Sequence, residues 1–298
     1  MKMTEMKRKQ RLTIPKFKQM KVDKNPITMI TAYDYPSAIL AEEAGVDMIL
    51  VGDSLGNVVL GYDSTLPVTI DDMVYHTRSV VRGAQDTFVV ADMPFMTYHG
   101  SVDQTLRNVA RLMQEGRAHA VKMEGGAEIA LAVDAVVKAG VPVVGHIGLT
   151  PQSVHQIGGF RVQGKVPEDA KRLLEDAKAL ERAGAFAIVL ELVTEEVATY
   201  ISEQLNIPTI GIGAGRGCDG QVLVFHDVVT YASPYRNKKF VKTYVDVGSL
   251  IRQGISQYVQ EVKEGSFPAP EHVFTAEDTV VESLYGARKQ ERKAETVQ

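Results

Sequence analysis

The chain has 298 residues, of which 45% are hydrophobic and 23% charged, and its formal net charge is -4. This balance is ordinary for a globular protein, gives no sign of a nucleic-acid partner, and includes no apolar run of roughly 18 residues that would predict a membrane span. The single cysteine, Cys218, excludes an intramolecular disulfide framework and favours a reducing compartment, so we expect a cytoplasmic location.

The first predicted element is a polar, basic N-terminal arm over residues 1–25, with a short helix near Ile14–Met20. Short apolar runs bounded by turn residues then predict strands. Seven are expected at Pro26–Thr31, Met48–Val51, Thr87–Ala91, Ala120–Glu124, Val141–Val144, Ala187–Glu191 and Pro208–Ile212, and an eighth at Phe240–Val245. Segments with helical spacing separate most of them and follow the last.

Alternating strands and helices predict a parallel sheet covered by helices. Eight such units in this length favour an α/β fold of the (β/α)8 TIM-barrel kind, with an open doubly wound sheet as the alternative. We predict one barrel domain over residues 26–266 and a peripheral C-terminal tail over residues 267–298.

Ionisable residues stand at the ends of the predicted strands, where the carboxyl ends of a barrel's strands form the active-site face. They are Asp34, Asp53, Asp92, Lys122, Glu124, His146 and Glu191. Buried carboxylates repel one another unless a cation lies between them, and oxygen ligands suit Mg²⁺. We therefore predict that Asp53, Asp92 and Glu124 bind Mg²⁺ or a similar divalent cation. Zinc is less favoured, because only one imidazole is expected at a strand end.

Such a site suits a 2-oxo acid, whose carboxylate and carbonyl oxygens can both bind the metal. The ion would act as a Lewis acid and stabilise the enolate that forms when the adjacent carbon loses a proton. Lys122 would stabilise the developing oxyanion, and Glu191 is the candidate general base.

Each of these residues has a structural alternative. Asp34 and Asp53 could cap the helices that follow them, and His146 could be a hydrogen-bonded structural histidine. The long segment Gly148–Val166 is expected to be a binding loop or lid. Gly215–Gly220 matches the glycine spacing of a dinucleotide-binding turn, but we favour a loop beside the site.

Several longer motifs occur in collinear order between residues 26 and 246. They are Thr31–Asp34, Val51–Gly56, Ala91–Phe95, Lys122–Gly126, Gly145–Gln152, Ile210–Gly215 and Asp219–Leu223. In these motifs the sequence resembles the ketopantoate hydroxymethyltransferase family.

The resemblance implies a TIM barrel of the phosphoenolpyruvate/pyruvate type that moves a one-carbon unit from 5,10-methylenetetrahydrofolate to 3-methyl-2-oxobutanoate, giving 2-dehydropantoate for pantothenate synthesis. It implies a homo-oligomer, expected to be a decamer. By motif match, Asp53 and Asp92 hold Mg²⁺, with Glu124 among or next to its ligands, while Asp53, Ser54, Asp92 and Lys122 contact the oxo acid. Glu191 matches the proton acceptor, and His146 is placed behind the metal ligands.

Two other functions use similar strand-end residues. One is an Mg²⁺-dependent 2-oxo acid lyase or mutase of the isocitrate lyase/phosphoenolpyruvate mutase kind, which would turn over without folate. The other is a non-catalytic protein that binds a metal or an oxo acid, which would not exchange substrate protons.

Overall fold

The computed structural model describes residues 11–231 and 238–285. Within these residues, eight parallel strands pair in sequence order, and β1 also pairs with β8, so the sheet closes into a barrel. The strands are β1 (Ile27–Thr31), β2 (Met48–Val51), β3 (Phe88–Asp92), β4 (Ala120–Glu124), β5 (Val143–Gly148), β6 (Ala187–Glu191), β7 (Thr209–Ile212) and β8 (Gly220–Leu223). The predicted TIM barrel is confirmed, and the closed sheet excludes the doubly wound alternative.

Helices follow most of the strands and begin at sequence signals. Asp34 caps the helix after β1, and Thr69 and Asp72 form a capping box at the helix after β2. The helices are α1 (Ile14–Val22), α2 (Tyr35–Glu43), α3 (Leu55–Val58), α4 (Ile70–Gly83), α5 (Val102–Ala110, extended by a π turn over Arg111–Glu115), α6 (Ala130–Lys138), α7 (Val154–Ile157), α8 (Pro167–Arg182), α9 (Glu195–Gln204), α10 (Phe225–Val228), α11 (Val247–Glu264) and α12 (Asp278–Tyr285). Of the helices in the described ranges, none is long and apolar enough to cross a membrane.

Side-chain alternation along the strands produces two apolar layers. Residues of one phase, such as Ile49 and Val89, pack with the surrounding helices. Residues of the other phase fill the barrel, where Leu50 and Phe88 belong to one buried cluster. Burial of these strands on both faces explains their nearly continuous apolar sequences.

Helix α1 contributes to the barrel interior. Its side chains Phe17 and Met20 are buried, and the Phe17 ring lies 5.3 Å from that of Phe88 and 6.3 Å from that of Phe186. The helix expected near Ile14–Met20 is therefore present, and it packs as part of the barrel rather than as a polar arm. Residues 1–10 of the predicted arm lie outside the described residues.

The eighth strand was predicted at the wrong place. Residues 240–245 are irregular, and β8 lies at Gly220–Leu223, where it pairs with both β1 and β7. Strand β8 was missed because it is short, half polar and follows β7 without an intervening helix. Gly220 permits this pairing, since a Cβ there would stand 2.4 Å from the carbonyl oxygen of Ile27.

The glycine motif Gly215–Gly220 thus leads into a strand. A dinucleotide-binding turn requires a helix at that point, so the dinucleotide interpretation is wrong. Asp219 in this segment accepts hydrogen bonds from the backbone of Thr209 and from Lys21, which anchors the loop near the start of β7.

The chain separates into two compact units, Met1–Asp246 and Val247–Gln298. The first contains the barrel. The second contains α11 and α12, and the described part of α11 has no buried residue. The boundary predicted from sequence lies later, at residue 266.

Candidate active site

The charged strand-end residues face the barrel interior because they follow the phase of the apolar residues below them. On β3, Asp92 is four residues after Phe88, and on β4, Lys122 is two residues after Ala120. The same alternation directs Glu124, His146 and Glu191 inward. Asp53 follows β2 after Gly52, where a Cβ would stand 2.8 Å from Ser54 Oγ, so the missing side chain leaves room for that hydroxyl.

These residues line a cavity of about 360 Å³ at the carboxyl ends of the strands. The charged and polar lining includes Asp53, Ser54, Asn57, Asp92, Lys122, Glu124, His146, Glu191 and Lys238. The apolar lining includes Val58, Phe160, Val189, Leu192, Ile212, Val222 and Phe240. A lining that combines charged groups with apolar side chains suits a small acid that carries a branched alkyl group.

Lys122 is the centre of a buried ion-pair network. Its Nζ lies 3.1 Å from Asp92 Oδ1, 3.7 Å from Glu124 Oε1 and 3.0 Å from His146 Nδ1. His146 continues the network, with Nδ1 3.3 Å from Glu124 Oε1 and Nε2 3.2 Å from Glu191 Oε2. The Lys122, Asp92, Glu124 and His146 side chains are 3–4% exposed, whereas that of Glu191 is 16% exposed toward the cavity.

The protonation of His146 follows from its neighbours. Burial and the Lys122 charge lower its pKa, but Glu124 and Glu191 outweigh them and raise the pKa to about 9. The imidazole is therefore cationic near neutral pH, with Glu124 beside Nδ1 and Glu191 beside Nε2. These contacts are ion pairs rather than aligned hydrogen bonds, and Nε2 is buried without a hydrogen-bond partner among the described residues. Its close approach to Lys122 is a like-charge contact that the surrounding carboxylates offset.

The three carboxylates respond differently to the shared site. Burial, followed by the charges of Glu124 and Asp92, raises the pKa of Asp53 well above its usual range. Burial also raises the pKa of Asp92, although Lys122 opposes the shift. Burial raises the pKa of Glu124 too, but His146 and Lys122 more than offset this and the net shift is downward. Burial thus disfavours the ionised form of Asp53 and Asp92, and a further cation beside them would favour it.

Two features of the site decide whether its donor atoms fit a divalent cation. Asp53 and Asp92 supply hard oxygen atoms, and within the described residues Asp92 Oδ1 is buried with no hydrogen bond beyond its ion pair with Lys122. In the part of the chain that the structure describes, no three carboxylate, imidazole or thiol groups already converge on one metal position. The Glu124 carboxylate points toward His146 and the backbone N–H of Gln152, and for this reason it does not share a metal position with Asp53 and Asp92. Asp53 and Asp92 therefore fit a hard cation, and Glu124 lies behind them.

The remaining predicted residues separate into two groups. Ser54 lies at the cavity, and its Oγ is 2.8 Å from the hydroxyl of Tyr33. Asp34 is exposed and accepts a hydrogen bond from the backbone N–H of Ser37. It is therefore a helix cap outside the cavity, which was the structural alternative considered for it from the sequence. Asp53 is not a cap, because its carboxylate accepts a hydrogen bond from Gln152 across the barrel.

The structure adds residues for which sequence reasoning assigned no role. Gln152 and Tyr98 are buried and hydrogen-bonded to the carboxylate residues, and Tyr33 contacts Ser54. Gln152 belongs to a quoted motif, but a single glutamine after a strand carries no chemical signal by itself. The predicted binding loop Gly148–Val166 contains α7, and its Phe160 is 67% exposed and lines the cavity.

A family model described as ketopantoate hydroxymethyltransferase matches residues 11–270. Curated relatives carry the name 3-methyl-2-oxobutanoate hydroxymethyltransferase. One from Halalkalibacterium halodurans is 58% identical over 92% of this chain and 98% of the relative, and one from Shouchella clausii is 58% identical over 93% and 99%.

Solved structures with the same fold are more distant in sequence. The phosphoenolpyruvate phosphomutase from Streptomyces platensis subsp. rosaceus superposes with a TM-score of 0.56 at 18% identity, covering 96% of this chain and 99% of that one. A 2,3-dimethylmalate lyase of the PEP mutase/isocitrate lyase superfamily gives a TM-score of 0.54 at 17% identity, covering 95% and 98%. At such identities the likeness shows the fold alone.

Proposed function

The chain belongs to the ketopantoate hydroxymethyltransferase family, and on this premise we propose how its residues divide the reaction among them. The activity of the family is the formation of 2-dehydropantoate from 3-methyl-2-oxobutanoate in pantothenate biosynthesis. We assign these roles from one observation. A continuous series of contacts runs from Asp92 through Lys122 and His146 to Glu191.

Glu191 is proposed as the general base. Its side chain is more exposed to the cavity than those of its charged neighbours, and the cationic His146 holds one of its oxygens at 3.2 Å. Glu191 would take the proton from C3 of the oxo acid, while the electron pair moves toward the C2 carbonyl oxygen. The positive charges of Lys122 and His146 would then balance the negative charge that develops in the site.

The one-carbon donor is proposed to be 5,10-methylenetetrahydrofolate. The C3 carbon forms the new bond to the methylene carbon of the donor, both bonds from that carbon to nitrogen break, and water supplies the hydroxyl group. The proton from C3 and the second proton of the water go to the two nitrogens of the donor. The products are 2-dehydropantoate and tetrahydrofolate. The apolar side chains of Val189, Ile212 and Val222 in the cavity lining suit the two methyl groups of the acceptor.

Asp53 and Asp92 would hold Mg²⁺ or a similar divalent cation, with Glu124 behind them. The ion, when bound, would supply a Lewis acid for the carboxylate and carbonyl oxygens of the substrate. Ser54, whose hydroxyl is held by Tyr33, and Lys122 would complete the contacts to the oxo acid.

Assembly and location remain parts of the proposal. A homo-oligomer, expected to be a decamer, is supported by large exposed apolar side chains on α2 and α4, including Leu40 at 57% and Tyr75 at 62% exposure. The mass of the native protein in solution tests it. A cytoplasmic location is supported by the single cysteine, Cys218.

The test is proton exchange at C3 in D₂O, followed by NMR with 3-methyl-2-oxobutanoate and Mg²⁺. Glu191→Gln should slow metal-dependent exchange about 1,000-fold, the scale of a lost general base. Glu195→Gln is the matched control, because Glu195 begins α9 just after the same strand and pairs with Arg216 at the surface. Unchanged exchange in Glu191→Gln would exclude it as the base.

The complete reaction separates the proposed function from the lyase or mutase alternative. With methylenetetrahydrofolate added, the wild-type protein should form 2-dehydropantoate, and without the donor it should only exchange the proton. Cleavage or rearrangement of a 2-oxo acid substrate without folate would favour the alternative.

A further inference from the structure

The amide of Gln152 connects groups that come from separate strands. The residue lies in a short turn, Pro151–Ser153, that follows β5, and it is only 4% exposed. Its Nε2 donates to Asp53 Oδ2 at 2.8 Å and to the carbonyl oxygen of Met93 at 2.9 Å. Its Oε1 accepts from the Tyr98 hydroxyl at 2.8 Å. Every polar atom of this buried side chain therefore has a partner.

These partners allow only one orientation of the amide. Two acceptors, a carboxylate and a carbonyl oxygen, face Nε2, and a hydroxyl faces Oε1. A flipped amide would place Oε1 against both acceptors and would lose both hydrogen bonds. The hydrogen-bond pattern thus requires an amide here and assigns its nitrogen to Asp53.

The backbone of the same turn holds a second carboxylate. The N–H of Gln152 donates to Glu124 Oε2 at 3.0 Å. Tyr98 strengthens this connection, because its hydroxyl accepts from the Glu124 N–H at 3.0 Å and lies 3.0 Å from the Glu124 carbonyl oxygen. Gln152 and Tyr98 therefore clamp Asp53 after β2 to Glu124 on β4.

Buried carboxylates of like charge would move apart if nothing held them. Gln152 opposes this movement at Asp53 and Glu124 by engaging one oxygen of each, and it adds no charge of its own. The other oxygen of each carboxylate is then held in a defined direction within the cavity.

We propose that Gln152 is a positioning residue that sets the divalent-cation affinity of the site by fixing the Asp53 carboxylate, and that Tyr98 acts through it by orienting the amide. The inference rests on the proposed role of Asp53 in cation binding. It assigns Gln152 no contact with the reacting atoms.

The test is titration of the purified protein with Mn²⁺ alone, followed by electron paramagnetic resonance of the free ion. Gln152→Met keeps the side-chain length and removes the side-chain hydrogen bonds, and it should raise the Kd for Mn²⁺ about tenfold or more. Tyr98→Phe should raise it by a smaller factor. The double variant should raise the Kd by less than the product of the two single effects, because Tyr98 acts on Asp53 through the same amide, apart from its own hydrogen bond with the Glu124 N–H.

The control is Ser202→Ala, which removes another buried hydroxyl with hydrogen bonds, 2.6 Å from Thr209 Oγ1 at the opposite end of the strands. It should leave the Kd for Mn²⁺ within twofold of the wild type. Circular dichroism of each variant verifies folding, and Tyr98→Phe tests the inference even if Gln152→Met does not fold.

Kinetics provide a second readout. At saturating Mg²⁺, Gln152→Met should recover most of kcat, since only the cation affinity is affected. If Gln152→Met bound Mn²⁺ as tightly as the wild type, or if the two effects were additive in the double variant, the inference would be overturned. The proposed cation site would not be affected by these two results. Absence of Mn²⁺ binding to the wild type would overturn both the inference and the proposed cation site.

Discussion

The two ends of the barrel have opposite chemistry although the same strands build both. On β3, Phe88 and Asp92 share one phase and face the interior, four residues apart. At the amino end, the rings of Phe17, Phe88 and Phe186 pack with centroids 5.3–6.3 Å apart. At the carboxyl end, buried charges surround Lys122.

This difference assigns separate tasks to the two ends. Burial of aromatic surface at the amino end stabilises the fold, since each buried ring contributes favourable transfer and packing energy. Burial of ionised groups at the carboxyl end opposes folding unless partners compensate. The scaffold at one end therefore supports an electrostatic arrangement at the other that would not be stable alone.

The largest expected effect is at the aromatic end. Phe88→Ala should lower the free energy of unfolding by about 3–4 kcal/mol, because the cavity left among closely packed rings closes only partly. The measurement is urea unfolding of the wild type and the variant.

The matched control for Phe88→Ala is Phe95→Ala, beyond the other end of the same strand, where Phe95 is 37% exposed. A loss of about 1 kcal/mol or less is expected there. Equal losses at both positions would contradict the proposed division between the ends.

The next effect concerns pH and His119, which precedes β4 near the aromatic end. Its Nδ1 accepts a hydrogen bond from the Val89 N–H, and burial, followed by the Arg11 charge, lowers its pKa to about 4. A histidine with a depressed pKa in the folded state binds protons more readily when unfolded. The contribution of neutral His119 to the free energy of unfolding is therefore complete above the ordinary histidine pKa near 6.5, and it is lost as the pH falls toward 4.

The test compares the wild type with His119→Asn, which keeps an acceptor in a similar position but does not titrate. The stability of the wild type relative to the variant should decrease by about 2 kcal/mol between pH 7 and pH 4. A difference that stays constant over this range would show that His119 has an ordinary pKa.

The smallest effect has the opposite sign and occurs at the charged end. Asp53→Asn should raise the free energy of unfolding by about 1 kcal/mol in EDTA. It removes a buried carboxyl group whose pKa is raised by burial and by its acidic neighbours, so its ionised form opposes folding. The same change should abolish turnover. Thermal unfolding in EDTA measures the stability.

Asp63→Asn on an exposed loop is the control for Asp53→Asn and should change stability by less than about 0.5 kcal/mol. If Asp53→Asn were destabilised in EDTA, the charged end would not oppose folding as inferred.

Much of the barrel could be predicted because its strands are buried on both faces. Continuous apolar runs such as Met48–Val51 signal a strand without any tertiary information. Strand β8 escaped this signal, because Gly220–Leu223 is held by pairing with β1 and β7 rather than by its own composition. Phe17 was similarly hidden in a polar segment, and only the barrel shows what it packs against.

For the candidate site, the sequence by itself determined the chemical groups. An ionisable residue at the end of an apolar strand can be recognised in the sequence, because such a residue is rarely buried without a partner. That rule identified Asp53, Asp92, Lys122, Glu124, His146 and Glu191, and the closed barrel brings all six to one cavity.

Only the tertiary structure decided which groups touch and which stay apart. Asp34 also follows a strand, but in the structure it is a helix cap. Gln152 is uncharged and was not recognised from the sequence, yet its side chain connects Asp53 and Met93, which are distant from it in sequence. The physical reason is that charge and hydrophobic period are properties of single residues and their neighbours along the chain. The direction of a hydrogen bond depends on atoms that only folding brings together.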